Sequence, residues 1–267
     1  MPGPPLILLT NDDGLGSPGL RAAAEAVADL GELLLVAPAT QQTAMSRAFV
    51  TDTGVGMIKQ IEMHIAGRAV PGYAITGSPA MAVTHAVLEL VDRPIALCVS
   101  GINYGENVGA AIGVSGTVGA AFEADSLGIP SIAAAITASV SEWRTCGTVD
   151  WTAAGHFTRL LARQVLTDGT PAGVSVLNLN VPRSATTRTE LRKTVQGQHA
   201  FYVRRRPGTP RPLDQPYQFA VEVGIDPDRL EPRTDIHAIV RDRVASVTPL
   251  TWQQTAATDW TSAWEGD

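Results

Sequence analysis

Residues 5–38 read PLILLTNDDGLGSPGLRAAAEAVADLGELLLVAP. The apolar run at 5–10 ends in polar residues, as a buried parallel strand does. Ser17-Pro18 marks a helix start, because Ser caps and Pro suits the first turn. Leu20, Ala23, Ala24, Val27 and Leu30 then recur at helical spacing, and Gly31 closes the segment. Residues 33–37 (LLLVA) form a second strand, stopped by Pro38. Strand, helix and strand in this order make a right-handed βαβ unit.

The alternation continues along the chain. It predicts a helix over 80–91, a buried strand over 95–100, a small-residue helix over 116–127 and a strand over 131–136. An amphipathic helix over 151–167 and a strand over 174–181 (VSVLNLNV) follow. The expected fold is an α/β domain with a mostly parallel sheet. Such sheets carry their sites beyond the carboxyl ends of the strands, here residues 10–19, 37–47 and 100–117. After Pro182 the texture changes: 183–234 is rich in Arg, Pro, Gln and Asp and reads as a hairpin arm or excursion. Residues 235–250 return to strand-like alternation. The tail, 251–267, offers Trp252, Trp260 and Trp264 for burial against a neighbour. One domain over 1–267 is expected, with a core at about 1–182 and 235–250, the arm at 183–234 and the tail.

Composition narrows the function. Among 267 residues, 26 acidic and 20 basic side chains give a formal net charge of -6, which argues against a protein that coats nucleic acid. Hydrophobic residues are 45% and charged residues 17%, enough apolar material to bury a core. Two cysteines, Cys98 and Cys146, exclude a disulfide scaffold or a zinc ribbon, and Cys98 in an apolar run reads as a buried thiol. The five histidines form neither HxH nor HExxH, so a His/Cys zinc site is not expected. The charge-free stretch 69–88 contains Pro71, Gly72, Gly77 and Pro79 and reads as strand, turn and helix, not as a membrane span. No signal peptide is read at the N-terminus, and a cytoplasmic protein is expected.

Two loops carry the chemistry. Gly14, Gly16 and Gly19 spell GxGxxG, the nominal dinucleotide fingerprint. Asp12 and Asp13, however, put two carboxylates where a pyrophosphate would sit, and the second strand lacks a terminal acid for ribose hydroxyls. Adjacent carboxylates at a strand end suit a hard divalent cation; they also make ordinary turns and caps. The second loop, 100–119, reads SGINYGENVGAAIGVSGTVG. Its glycines allow close backbone approach. Asn103 and Asn107 supply neutral polar groups, and Ser115-Gly116-Thr117 opens a helix whose free N–H groups suit a phosphate. A capped helix after a flexible loop is the plain alternative. A metal pair and an anion nest at one sheet edge are what phosphoester hydrolysis needs.

In these motifs the sequence resembles the SurE family of metal-dependent phosphatases and nucleotidases. The resemblance is carried by LILLTNDDGLGSPGL (6–20), VAPATQQTAMS (36–46), ITGSPA (75–80) and SGINYGENVG (100–109), then SGTVGAAFEADSLGIPSIA (115–133), VLNLNVP (176–182) and TDIHAIVRDRVASVTPL (234–250). It implies a Rossmann-like three-layer fold with a protruding β-hairpin arm and a C-terminal exchange segment, assembled as a homodimer or homotetramer. It implies one divalent ion, Mg²⁺ or Mn²⁺, held by Asp12, Asp13, Thr43 and Asn103. Asn11, Asn107, Ser115, Gly116 and Thr117 are the implied substrate contacts, and Asp12, Asp13 and Asn103 the catalytic group. The implied reaction is hydrolysis of a phosphomonoester, a nucleoside monophosphate or related metabolite, by in-line attack of a water activated at the ion.

Several positions depart from the family pattern. Thr43 stands where the family has Ser, Ala39 where it has Asp, and GSPAMA (77–82) where it has GTPxDC. Val114 replaces an aromatic, and Glu123-Ala124 a Glu-Gly pair. These changes surround the site. They keep open a phosphatase specific for one specialised metabolite and a non-catalytic binding protein. The Arg204-Arg205-Arg206 run reads as a solvated face, or as a lid that draws anionic substrate. Glu123 and Asp125 read as helix-surface charges.

Overall fold

A computed structural model describes residues 3–143 and 148–256. Cys146, Trp260 and Trp264 lie outside the described residues. Six strands make the parallel heart of a nine-stranded sheet: β1 (Leu6–Thr10), β2 (Glu32–Pro38), β4 (Arg68–Ile75), β5 (Ile95–Tyr104), β6 (Ser131–Ile136) and β7 (Val176–Val181). β3 (Ile58–Ile65) pairs antiparallel with β4 at one edge. At the other, β11 (Ala245–Leu250) runs antiparallel to β7 and parallel to β8 (Leu191–Lys193). The spatial order is β3-β4-β2-β1-β5-β6-β7-β11-β8. Chain order therefore reverses between β1 and β5, the switch point at which such sheets open a crevice.

Alternation along each strand builds the three layers. Ile7 and Leu9 of β1 join Leu35, Leu97 and Val99 under α1 (Pro18–Val27) and α4 (Thr152–Asp168). Leu6 and Leu8 face the other way, with Leu34 and Val36. They pack on α2 (Pro79–His85) and α3 (Gly116–Ser126) through Ala82, Val83, Ala120 and Ala124. Ser17 caps α1 as expected, its hydroxyl accepting from the Leu20 N–H. Among the described residues, no helix is long and apolar enough to cross a membrane. Cys98 is buried, and burial pushes its thiol up to about 12.

The structure corrects some local expectations. The helix over 80–91 ends at His85 and continues as a wider turn over Ala86–Leu90. Residues 235–250 are not strand throughout. Thr234 caps a helical turn by accepting from the His237 N–H, and Ile236 and Ile239 bury one face of it, so the strand starts only at Ala245. β3 escaped notice because five of its eight residues are exposed, which erases the apolar pattern. The excursion supplies β8 and a separate hairpin, β9 (Tyr202–Arg204) with β10 (Val221–Val223).

Candidate active site

β1 delivers Asp12 and Asp13 at its carboxyl end, and β5 delivers Asn103 beside them, across the switch point. A cavity of about 380 Å³ opens there. Asp12, Asp13, Thr43, Asn103, Asn107 and Ser115 all line it. Three segments remote in sequence thus converge on one crevice.

Asp12 is 5% exposed and meets the start of α3. Its Oδ1 accepts from the Thr117 hydroxyl at 2.6 Å. A methyl group on Gly116 would stand 2.8 Å from Asp12 Cβ and 2.9 Å from Oδ2, so only glycine lets the carboxylate pack there. The helix end read as a phosphate nest is therefore partly filled by the protein's own acid. Gly116 and Thr117 act on Asp12 and do not line the cavity. Ser115 caps α3 by accepting from the Val118 N–H, which leaves its own proton to donate.

Asp13 accepts from the Gln41 amide at 3.0 Å and from the Tyr104 N–H at 3.2 Å. Burial raises its pKa against those two donors. Burial, and then the Asp13 charge, push Asp12 up to about 7. A proton held this way binds the folded state more tightly than the unfolded chain. Its stabilisation is complete below about 3.8 and is lost as pH rises through about 7. Metal-free protein is thus expected to lose stability across that window, by up to about 1.4 kcal/mol per pH unit. Denaturant melts at pH 4.5, 5.5 and 6.5 check the sign; a divalent cation should flatten the slope.

Asn103 commits its amide nitrogen to the Gly105 carbonyl at 2.6 Å, leaving its side-chain oxygen as the remaining group. Asn107 is held by its backbone. Its N–H donates to Asn180 Oδ1 at 2.7 Å, and its carbonyl accepts from Asn178 and Asn180. Its side-chain nitrogen is buried without a partner among the described residues. Such a donor calls for an acceptor from outside the chain. Asn11 lies elsewhere. It is fully buried, accepts from the Gly14 N–H and donates to Ser17, so it shapes the loop and does not line the cavity. In the GxGxxG loop, Gly19 is required by packing, because a Cβ there would lie 1.9 Å from the Ile102 carbonyl oxygen.

Two acids with the neutral oxygens of Thr43 and Asn103 form an all-oxygen set that fits a hard divalent cation. Among the described residues, no three or more His, Cys, Asp and Glu side chains group together as a softer site would need.

Sequence reasoning missed several contributors. Gln41 orients Asp13; Asn178 and Asn180 hold Asn107; Asp235, fully buried, accepts from the N–H groups of Gly109 and Gly197. Only NLN within an apolar strand gave a signal, since polar residues two apart share one face. Arg204 does line the cavity, while Arg205 pairs with Glu222. Glu123 is not a surface charge. It is 4% exposed and accepts from Arg47 at 2.5 Å and Thr84 at 2.9 Å, tying the 39–57 loop to α3 and α2. Glu123→Ala is expected to lower stability by roughly 1–3 kcal/mol, read by thermal melting, because Arg47 and Thr84 lose their shared acceptor.

A doubly wound α/β sheet with paired carboxylates and oxygen donors at its switch point defines the class of protein. The profile of the family described as Survival protein SurE matches residues 7–202, and the chain belongs to that family. It is 39% identical over 259 residues to 5'-nucleotidase SurE of Thermococcus gammatolerans, covering 95% of this chain and 92% of that one. It is 38% identical over 255 residues to 5'-nucleotidase SurE of Thermococcus kodakarensis, covering 94% and 93%. Among solved structures, the SurE protein from Aquifex aeolicus superposes with a TM-score of 0.72 at 29% identity, covering 94% of this chain and 95% of that one.

Proposed function

We propose that this chain is a divalent-metal-dependent phosphomonoester hydrolase acting on nucleoside monophosphates. The observation that carries the reading is the single cavity in which Asp12, Asp13, Thr43 and Asn103 meet Asn107 and Ser115. The relatives named 5'-nucleotidase point to the same class of enzyme, a nucleotidase or phosphatase.

Asp12, Asp13, Thr43 and Asn103 would hold the ion, Mg²⁺ or Mn²⁺. When bound it would supply Lewis-acid polarisation of the phosphoryl group and a lowered pKa for a water. The unpartnered Asn107 amide donates to a phosphoryl oxygen, and the Ser115 hydroxyl donates beside it. Thr117 and Gly116 position Asp12; Gln41 and the Tyr104 N–H position Asp13. Arg204 at the cavity wall adds positive charge that an anionic substrate meets. Asn11 supports the carboxylate loop from behind.

An assembly of two or four copies in the cytoplasm belongs to the same reading. Leu213, Tyr217, Phe219 and Val223 of the arm are exposed apolar groups that a second copy would cover. Sedimentation at micromolar concentration tests that part.

The test of the activity is a hydrolysis screen of nucleoside monophosphates and other phosphomonoesters, with Mn²⁺, Mg²⁺ or chelator. Metal-dependent release of phosphate from nucleotides is expected. No turnover of any phosphomonoester by the metal-loaded protein would sink the enzyme reading.

A further inference from the structure

Two non-glycine residues just after Thr43 stand in the left-handed region, Ala44 at φ 62° and Ser46 at φ 51°. L side chains adopt that conformation at a cost, so it persists only where the surroundings impose it. Part of the hold is backbone. The Gln42 N–H donates to the Asp12 carbonyl at 2.7 Å, and the Ser46 N–H to the Val114 carbonyl at 3.1 Å. The Ser46 carbonyl packs so closely on α3 that a Cβ on Gly119 would stand 2.2 Å from its oxygen. The rest of the hold is Arg47. Its Nε donates to Glu123 at 2.5 Å and its Nη2 to the Ser126 hydroxyl at 3.1 Å. The ring of Trp252, just past β11, covers the guanidinium at 4.9 Å. Trp252 is itself seated on α3: its ring lies 4.7 Å from that of Phe122, and its Nε1 donates to Asp125 at 2.6 Å. The indole over Arg47 and a carboxylate only 4% exposed beside it take part of this ion pair out of water, which strengthens it.

Resting on the phosphatase reading above, we propose that Arg47 is a positioning residue: clamped between Glu123 and Trp252, it holds the 43–47 loop in the conformation that presents Thr43 to the ion seat. Arg47 does not line the cavity, so it acts through the backbone of its loop. The clamp also makes the site depend on the start of the tail, since Trp252 follows Leu250, the last residue of β11, by two positions. With Trp252 lifted from α3, Arg47 keeps Glu123 but loses its cover, and the loop relaxes in a fraction of the molecules. Apparent affinity for the ion falls with the fraction that stays competent.

The experiment uses the full chain as wild type, Arg47→Ala, Arg47→Lys, Trp252→Ala and Arg159→Ala. The last breaks an ion pair with Asp29 on the α1 and α4 face of the sheet and controls for simple loss of stability. Amide hydrogen exchange without metal reads the clamp, and calorimetric titration with Mn²⁺ reads its consequence at the site. Arg47→Ala should speed exchange at Gln42 and Ser46 and weaken Mn²⁺ binding about tenfold, the low end of what losing an outer support costs a metal site. Trp252→Ala should weaken it about threefold, the weight of a partly exposed cation–π contact. Arg47→Lys should fall between wild type and Arg47→Ala, because an ammonium keeps the charge but lacks the planar fork that serves Glu123 and Ser126 together. Adding Ala44→Gly to Arg47→Ala should recover about threefold in affinity, since glycine takes the left-handed conformation without strain. Unchanged exchange or affinity in Arg47→Ala, an equal loss in Arg159→Ala, or no recovery with Ala44→Gly overturns the proposal. Should Arg47→Ala fail to fold, Arg47→Lys and Trp252→Ala decide it by the same two measurements. If wild type binds Mn²⁺ but turns over no phosphomonoester, the hydrolase reading fails by itself and both measurements still judge the clamp. If wild type binds no Mn²⁺, the ion seat fails, and exchange at Gln42 and Ser46 judges the clamp alone.

Discussion

Asp12→Asn is expected to move activity and stability in opposite directions. Hydrolysis of nucleoside monophosphates should drop by at least about a thousandfold, since the change removes one of the two charges that would hold the ion. Metal-free protein should nevertheless melt higher than wild type at neutral pH. Burial and the neighbouring Asp13 charge push Asp12 up to about 7, so its ionised form works against the fold. The Asn side chain keeps a carbonyl to accept from Thr117 and carries no charge. Steady-state kinetics and a thermal melt on the same preparation check both halves. Retained activity in Asp12→Asn with Asp13→Asn would refute the metal assignment outright.

Gly116→Ala is expected to reduce kcat/KM by about a hundredfold while the protein still folds, because displacements near 1 Å at a reacting centre carry that weight. The added methyl would stand 2.8 Å from Asp12 Cβ and must push the carboxylate aside. Gly113→Ala is the matched control, since a Cβ there meets nothing within 4 Å. It should leave activity within about twofold, as isolated surface changes do. Equal kinetics for the two variants would show that Asp12 has room to adjust.

The parallel heart of the sheet was legible because buried strands are continuous apolar runs and the helices between them carry caps and glycine stops. Ser17, Ser78 and Ser115 each cap the helix that follows. The carboxylate pair was legible as a candidate ion seat for another reason: two adjacent acids after a buried strand stand where such sheets carry their sites, and Asp12 and Asp13 do line the cavity. What stayed hidden depends on contacts between distant segments. Glu123 looks like any helix acid until Arg47 arrives from 76 positions away. Thr117, read as a phosphate contact, makes a hydrogen bond to Asp12 across 105 positions that no local pattern announces. Trp143, Glu106 and Tyr202 have no shared motif, so their meeting in the lining of the cavity has no local signature. Edge strand β3 hid for lack of burial, and residues 235–242 hid because their apolar spacing fits two periods at once.

The hairpin of β9 and β10 bears on how the chain matures during synthesis. The carboxylates at positions 12 and 13 leave the ribosome early, whereas Phe201, Tyr202, Arg204 and Val221 on the opposite wall emerge some two hundred residues later. At the usual pace of translation, about 5–20 residues per second, the acids wait on the order of ten seconds or more for that wall. Before α3 packs on Asp12 the pair stands open to water, where desolvation cannot raise its proton affinity. The nascent β1–α1–β2 unit therefore does not carry the buried charge of the finished molecule; that burden arrives as α3, and later the hairpin, close around the acids.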